Sequence, residues 1–223
     1  MDAAQEGERR DPAIHAEALA AKNAEALAAK TTLRRKMTKV RKDMTPEARQ
    51  AASAQMIDRL VQLPAYQNAQ TIFAYASMPD EVQLDAFIER AKADGKRVAI
   101  PWITDKGTME AVEVSSLESL EVGMYGIRNV PAAERQVIPP EAIDLAIVPG
   151  AAFTVEGARL GLGGGYYDRY LGGRAPQAER VALAFDALVL PRPERHKIPM
   201  EAHDIWVDVL VTETRVLSFD KKR

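Results

Sequence analysis

Short apolar runs alternate along this chain with segments whose apolar residues recur at helical spacing, and that alternation carries most of the fold. Leu33, Met37 and Val40 recur at three- and four-residue intervals within Lys30 to Met44, which predicts an amphipathic helix. Thr45-Pro46-Glu47 reads as a helix start, with a capping threonine, proline in the first turn and an acid behind it. That helix is expected to run to Leu63, where Pro64 stops it. Apolar runs at 71–76, 97–102, 143–150, 180–185 and 207–212 read as strands. Between them, 84–94 reads as a helix ended by Gly95, 109–114 as an antiparallel addition, and 117–120 as a short helix. Residues 190–204 form a proline-broken segment.

Strands alternating with helices predict an α/β fold: a single layered domain, mostly parallel sheet with helices on both faces. Ligands of such sheets bind beyond the carboxyl ends of the strands. Three connections leave those ends, 78–82, 150–166 and the approach to Asp204, so one crevice is expected to collect them. Residues 1–29 stand apart as an N-terminal extension. Ala16-Glu17-Ala18-Leu19-Ala20-Ala21-Lys22 recurs as Ala24-Glu25-Ala26-Leu27-Ala28-Ala29-Lys30, a composition that favours helix but offers little to bury. A frayed helix or disorder is expected there, and the domain proper over 30–223.

Composition narrows the function. With 47% apolar residues, 223 residues can build a substantial core. A formal charge of −2 lacks the basic field of a general nucleic-acid binder. The chain has no cysteine, hence no disulfide framework or thiolate metal site. No apolar run approaches a membrane span, and the charged N-terminus has no secretory core, so a soluble, cytoplasmic protein is expected. The helix from Lys30 to Lys42 is strongly basic; Lys30 and Arg34, four apart, share a face that points either to solvent or to a polyanion.

The chemistry concentrates in Arg159-Leu160-Gly161-Leu162-Gly163-Gly164-Gly165-Tyr166-Tyr167-Asp168. Four glycines in five positions are entropically costly, and are tolerated where φ must be positive or a ligand must touch the backbone. The order reads as strand, connecting loop, glycine turn, helix, with bare N–H groups at the helix start able to bind phosphate. The stretch is neither a Gly-Lys-Ser/Thr phosphate loop nor the six-residue dinucleotide pattern. Asp168 is placed to hold a divalent cation or simply to favour the helix dipole. Taken alone, Glu81 reads as a solvated loop acid and Asp204 as a local cap or pair. Tyr170 and Trp102 read as packing, His196 and His203 as histidines without a nearby ligand cluster, and Met109 and Tyr125 as an apolar wall.

Together, Val148-Pro149-Gly150, the glycine stretch through Asp168, Lys30-Thr31-Thr32-Leu33-Arg34, Pro79-Asp80-Glu81-Val82, Ile198-Pro199 and His203-Asp204 resemble the 5-formyltetrahydrofolate cyclo-ligase (5,10-methenyltetrahydrofolate synthetase) family over residues 30–216. The resemblance implies ATP- and Mg²⁺-dependent closure of 5-formyltetrahydrofolate to 5,10-methenyltetrahydrofolate, with phosphorylation of the formyl oxygen before ring closure. It implies ATP binding by Lys30, Thr31, Thr32, Leu33 and Arg34, and by Arg159, Leu160, Gly161, Leu162, Gly163, Gly164, Gly165, Tyr166 and Tyr167. Lys30, Arg34 and Arg159 would act on the transferred phosphoryl group. Glu81, Leu162, Gly163, Gly164, Gly165 and Tyr166 would meet the folate, and Asp168 and Asp204 would ligate Mg²⁺. Leu162 and Gly164 stand where relatives often carry larger or charged residues, which leaves Lys30, Arg34 and Arg159 to neutralise the phosphates. Folate and ATP are the expected partners, with no nucleic acid or membrane, for a monomer or alternatively a dimer. Two rival readings are an ATP-dependent phosphotransferase acting on another small acceptor, and an RNA-binding module using the basic helix.

Overall fold

The computed structural model describes residues 12–220. The chain opens with α1 (Pro12–Asp43), α2 (Pro46–Leu60) and the short α3 (Pro64–Asn68). It continues through β1 (Thr71–Phe73), α4 (Asp85–Ala93), β2 (Arg97–Asp105), β3 (Thr108–Glu113), β4 (Glu121–Val122), β5 (Arg128–Asn129) and β6 (Val137–Ile138). The last part holds β7 (Leu145–Ile147), β8 (Ala152–Thr154), β9 (Arg159–Leu160), α5 (Tyr166–Arg169), β10 (Glu179–Leu183), β11 (Val189–Leu190), β12 (Val209–Val211) and β13 (Val216–Ser218).

Eight strands form one sheet in the order β13, β12, β10, β7, β1, β2, β3, β6. The five central strands, β12 through β2, are parallel. Antiparallel strands close both edges. Alternation along each strand assigns the faces. Ile72, Val98, Ile100, Leu145 and Ile147 pack with Leu33, Met37, Met56, Leu60, Phe87 and Ile88, residues of α1, α2 and α4. Phe73, Ala99 and Ala146 point the other way, into a cluster with Tyr170 and Leu171 after α5. The period of two in a strand leaves no other arrangement once both faces are covered.

The expected elements are largely present, with informative differences. The Thr45 hydroxyl caps α2 by accepting from the Ala48 N–H at 3.2 Å, and the helix ends at Leu60 rather than Leu63 because Pro64 opens a separate short helix. Residues 117–120 form a turn, not a helix. The Ser116 hydroxyl takes the Glu118 N–H, and the Ser119 hydroxyl donates to the Ser116 carbonyl, a local alternative to helical pairing. The helix expected from Tyr166 is α-helical only to Arg169 and widens into a π-helical turn over Tyr170–Arg174. The connection between β7 and α5 is a β-hairpin, β8 with β9, rather than a plain loop. In the extension, α1 runs without interruption from Pro12 into the basic segment, with Leu19 and Leu27 exposed. Residues 1–11 lie outside the described residues. Among the described residues no helix is long and apolar enough to cross a membrane.

Candidate active site

The glycine stretch lines a cavity, and a polar cluster adjoins it. The β8–β9 hairpin delivers Arg159 at its end, and Gly165 then starts α5 with φ +65°, where a Cβ would lie 2.7 Å from Arg169 Nη1. The positive φ favours glycine there, whereas the contact is with the movable end of the Arg169 side chain. Arg169 fastens the loop from outside: its Nε donates to the Gly107 carbonyl at 2.7 Å and its Nη2 to the Gly164 carbonyl at 2.6 Å. Leu162 at the tip is exposed.

On one side lies a cavity of about 960 Å³, lined mainly by apolar surface. Tyr75, which follows β1, lines it together with Glu81. Met109 and Tyr125 form part of its wall, as does Tyr166. Glu81 is only 7% exposed, not the solvated loop acid that its surroundings in sequence suggest. Burial pushes its carboxyl above the usual range, against the Met78 N–H, which donates to Oε2 at 3.0 Å, and the Arg41 charge. The Tyr167 hydroxyl is buried with no hydrogen-bond partner among the described residues and lies close enough to feel Glu81; burial holds the phenol neutral. Tyr170 is in the core and its ring tilts against Phe73. Trp102 is half-buried, with the Arg135 guanidinium 4.3 Å from its ring centre.

The polar cluster gathers residues far apart in sequence. Lys30, 5% exposed, donates to Asp204 Oδ2 at 2.6 Å and Glu201 Oε2 at 2.7 Å. Burial alone would lower this ammonium; hydrogen bonds to the two carboxylates reverse that and raise it. Arg34 Nε donates to the Gly161 carbonyl at 2.8 Å, and no protein acceptor is recorded for its terminal nitrogens among the described residues. Its surroundings include Asp204, Asp168 and Arg159, and burial lowers it from its ordinary value, though a guanidinium keeps its proton. Arg159 is 4% exposed; Nη2 donates to Asp168 Oδ1 at 2.6 Å and Nη1 to the Pro149 carbonyl at 3.0 Å, while Nε has no partner among the described residues. Asp168 Oδ1 also accepts the Ile205 N–H at 3.1 Å. Burial pushes this carboxyl up, but the Arg159 charge, with the Ile205 N–H, takes it below the usual aspartate value.

The structure therefore brings Lys30, Arg34, Arg159, Asp168 and Asp204 together beside the glycine loop, and Arg159 and Asp168 also line the cavity that holds Glu81, Tyr166 and Tyr167. It turns Leu33 into the core and leaves Thr31 and Thr32 exposed, the Thr31 hydroxyl donating back to the Leu27 carbonyl. His203 is exposed but not alone: a ligand atom from it, one from Glu201 and one from Asp204 lie within 4.8 Å of one another. That corrects the expectation of no cluster, which failed because the turn at 201–204 folds back on itself, the Glu201 N–H donating to Asp204 Oδ2. The side chain of His196 lies outside the described residues. Sequence reasoning missed Glu201 as the second carboxylate on Lys30, and Arg41, whose spacing from Lys30 and Arg34 on one helical face was the available signal.

Comparisons with known proteins show which family the chain is related to. The model of the 5-formyltetrahydrofolate cyclo-ligase family matches residues 26–213. A probable 5-formyltetrahydrofolate cyclo-ligase of Schizosaccharomyces pombe is 33% identical over 177 residues, covering 74% of this chain and 85% of that protein. The 5-formyltetrahydrofolate cyclo-ligase of Mus musculus is 30% identical over 196 residues, covering 83% and 94%. The solution structure of 5,10-methenyltetrahydrofolate synthetase from Aquifex aeolicus superposes with a TM-score of 0.74 at 34% identity, covering 87% of this chain and 94% of that one. With a family match across most of its length and relatives of this similarity, the chain belongs to the 5-formyltetrahydrofolate cyclo-ligase family.

Proposed function

We propose that this protein closes 5-formyltetrahydrofolate to 5,10-methenyltetrahydrofolate at the expense of ATP. One observation carries the reading: the glycine stretch lines an apolar cavity with a buried carboxylate, and an adjoining cluster of three cations and two aspartates opens onto it through Arg159 and Asp168. A folate fits the first part, its pterin offering hydrogen-bond donors to Glu81 while its rings meet Met109, Tyr125 and Tyr166. A nucleotide's phosphates fit the second. The chemistry belongs to residues 30–223, and the extension over 1–29 takes no part.

The formyl group sits on an amide-like nitrogen and is a weak electrophile. Transfer of the γ-phosphoryl group to the formyl oxygen releases ADP and makes that oxygen a leaving group. The neighbouring arm amine then attacks the formyl carbon, the ring closes, and phosphate departs with the oxygen. No protein nucleophile is required; the chain contributes position and charge. Arg34, held through Nε on Gly161, has its terminal nitrogens available for phosphate oxygens. Arg159, locked by Asp168 and Pro149, keeps its cation beside the loop in a buried setting where it acts strongly. Lys30 holds Asp204 in place and adds a third positive charge.

Asp168 and Asp204 suit Mg²⁺: both present carboxylate oxygens, both are largely buried, and each pairs with a fixed cation through one oxygen, with Asp204 Oδ1 also 3.8 Å from His203 Nε2. Bound there, Mg²⁺ would neutralise charge on the ATP phosphates. Removing one well-placed cation, as in Arg34→Ala, is expected to cost on the order of 3 kcal/mol in the transition state. The test follows methenyl-folate absorbance after mixing the purified protein with 5-formyltetrahydrofolate, ATP and Mg²⁺. Absorbance that rises only with all three supports the reading. Absence of product, with ATP consumed on another acceptor, would favour a phosphotransferase instead.

A further inference from the structure

Helix α1 serves the site at two places. Lys30, Arg34 and Arg41 fall within about 40° of one another around the helix, and Arg41 lies about 16 Å along the axis from Lys30. Lys30 and Arg34 reach the polar cluster; Arg41 reaches Glu81, which lines the cavity. Its side chain is nearly enclosed. Nε and Nη2 donate to Asp80 Oδ2 at 3.1 and 3.0 Å, and Nη1 stands 3.6 Å from Glu81 Oε1. The other Glu81 oxygen is occupied by the Met78 N–H.

We propose that Arg41 is the positioning residue for Glu81: anchored on Asp80, its guanidinium keeps the carboxylate ionised and aimed at the cavity. The inference rests on the reading above in which Glu81 holds the folate. Among the described residues, four titratable groups face Glu81. Arg41 comes from α1, Asp80 from its own loop, Tyr75 from the end of β1, and Tyr167 from α5. The two phenols are held neutral by burial and by the carboxylate's own charge. Asp80 is negative, so Arg41 supplies the positive charge. A carboxyl this buried, without that charge, moves toward its neutral form. A neutral Glu81 loses the charge-assisted bonds that a donor-rich ring edge can make.

Because Glu81 must be ionised, folate affinity falls as pH falls through its raised value. Removing Arg41 raises that value further and moves the inflection upward. Arg41→Met is expected to raise the folate KM about ten-fold at neutral pH, with recovery at alkaline pH, and to leave the ATP KM within about two-fold. Arg41→Lys keeps a charge without the planar fork, so its inflection should stay near that of the parent protein. Asp80→Asn loosens the anchor and keeps the guanidinium; a two- to five-fold rise in folate KM without an upward inflection is expected, and this variant decides the matter if Arg41→Met does not fold. Glu81→Gln is the control and should raise the folate KM about ten-fold or more. If Glu81→Gln raises it while Arg41→Met changes neither KM nor inflection, Arg41 has no such role and the folate site stands. Arg41 is equally ruled out if Arg41→Lys behaves as Arg41→Met, or if Asp80→Asn leaves the folate KM unchanged in the absence of folded Arg41→Met. If Glu81→Gln leaves folate binding untouched, the site assignment itself falls.

Discussion

Replacing Asp168 by alanine tests stability before it tests catalysis. Asp168 Oδ1 accepts from Arg159 Nη2 at 2.6 Å and from the Ile205 N–H at 3.1 Å. The side chains of the pair are 14% and 2% exposed. Alanine leaves Arg159 with the Pro149 carbonyl as its one recorded partner and removes the acceptor of a backbone N–H. Breaking one member of a buried pair costs about 3–5 kcal/mol, because the remaining charge stays desolvated and uncompensated. For a chain of this size about 1 kcal/mol shifts Tm by roughly 2–4 °C, so the loss should be roughly 6–20 °C. The assay is thermal unfolding by circular dichroism at neutral pH without ligands. Asp168→Asn retains acceptor geometry without the charge and should fall between alanine and the parent protein. Adding Arg159→Met to Asp168→Ala removes the stranded cation and should restore at least half of the lost Tm. A drop below about 2 °C for Asp168→Ala, or a double variant less stable than the single one, refutes the reasoning. Activity of Asp168→Ala is interpretable only once the folded fraction has been measured.

The same pair sets a pH dependence. Asp168 is depressed when folded, so its contribution is present above the ordinary aspartate value and is lost as pH falls through the lower folded value. The Tm gap between the parent protein and Asp168→Asn should therefore narrow below about pH 4, and a gap that stays constant into acid would contradict the assignment. In the β8–β9 hairpin, Gly157 has φ +84°, and a Cβ there would meet Phe219 Cδ2 at 2.7 Å and the Val207 carbonyl at 3.0 Å. Gly157→Ala is expected to lose about 1–3 kcal/mol or more in denaturant unfolding, and an unchanged midpoint would show that the turn relaxes freely.

Legibility follows sequence separation. The Thr45 cap, the α4 stop at Gly95 and the β2–β3 pairing rest on neighbours in the chain, and each is readable from them. Residues 117–120 have a helical pattern but form a turn, because serine hydroxyl bonds compete with a helix only one turn long. In the site, the glycine stretch announces itself, since backbone freedom is a local property. Its partners are named through family resemblance, while their pairings are not. Nothing near Lys30 in sequence indicates Glu201, 171 positions away. Arg41 and Asp80 are likewise 39 positions apart.

By itself the sequence determined the alternating α/β layout, the two-faced burial of the central strands and the place of the glycine-rich turn, because periodicity, proline and glycine act within a few residues. Only the tertiary structure decided that one face of the basic helix turns inward, that Lys30 sits between two carboxylates and that Glu81 is enclosed. Those outcomes depend on which distant charges share a low-dielectric pocket. A chain specifies that through packing of the whole sheet rather than through any local pattern.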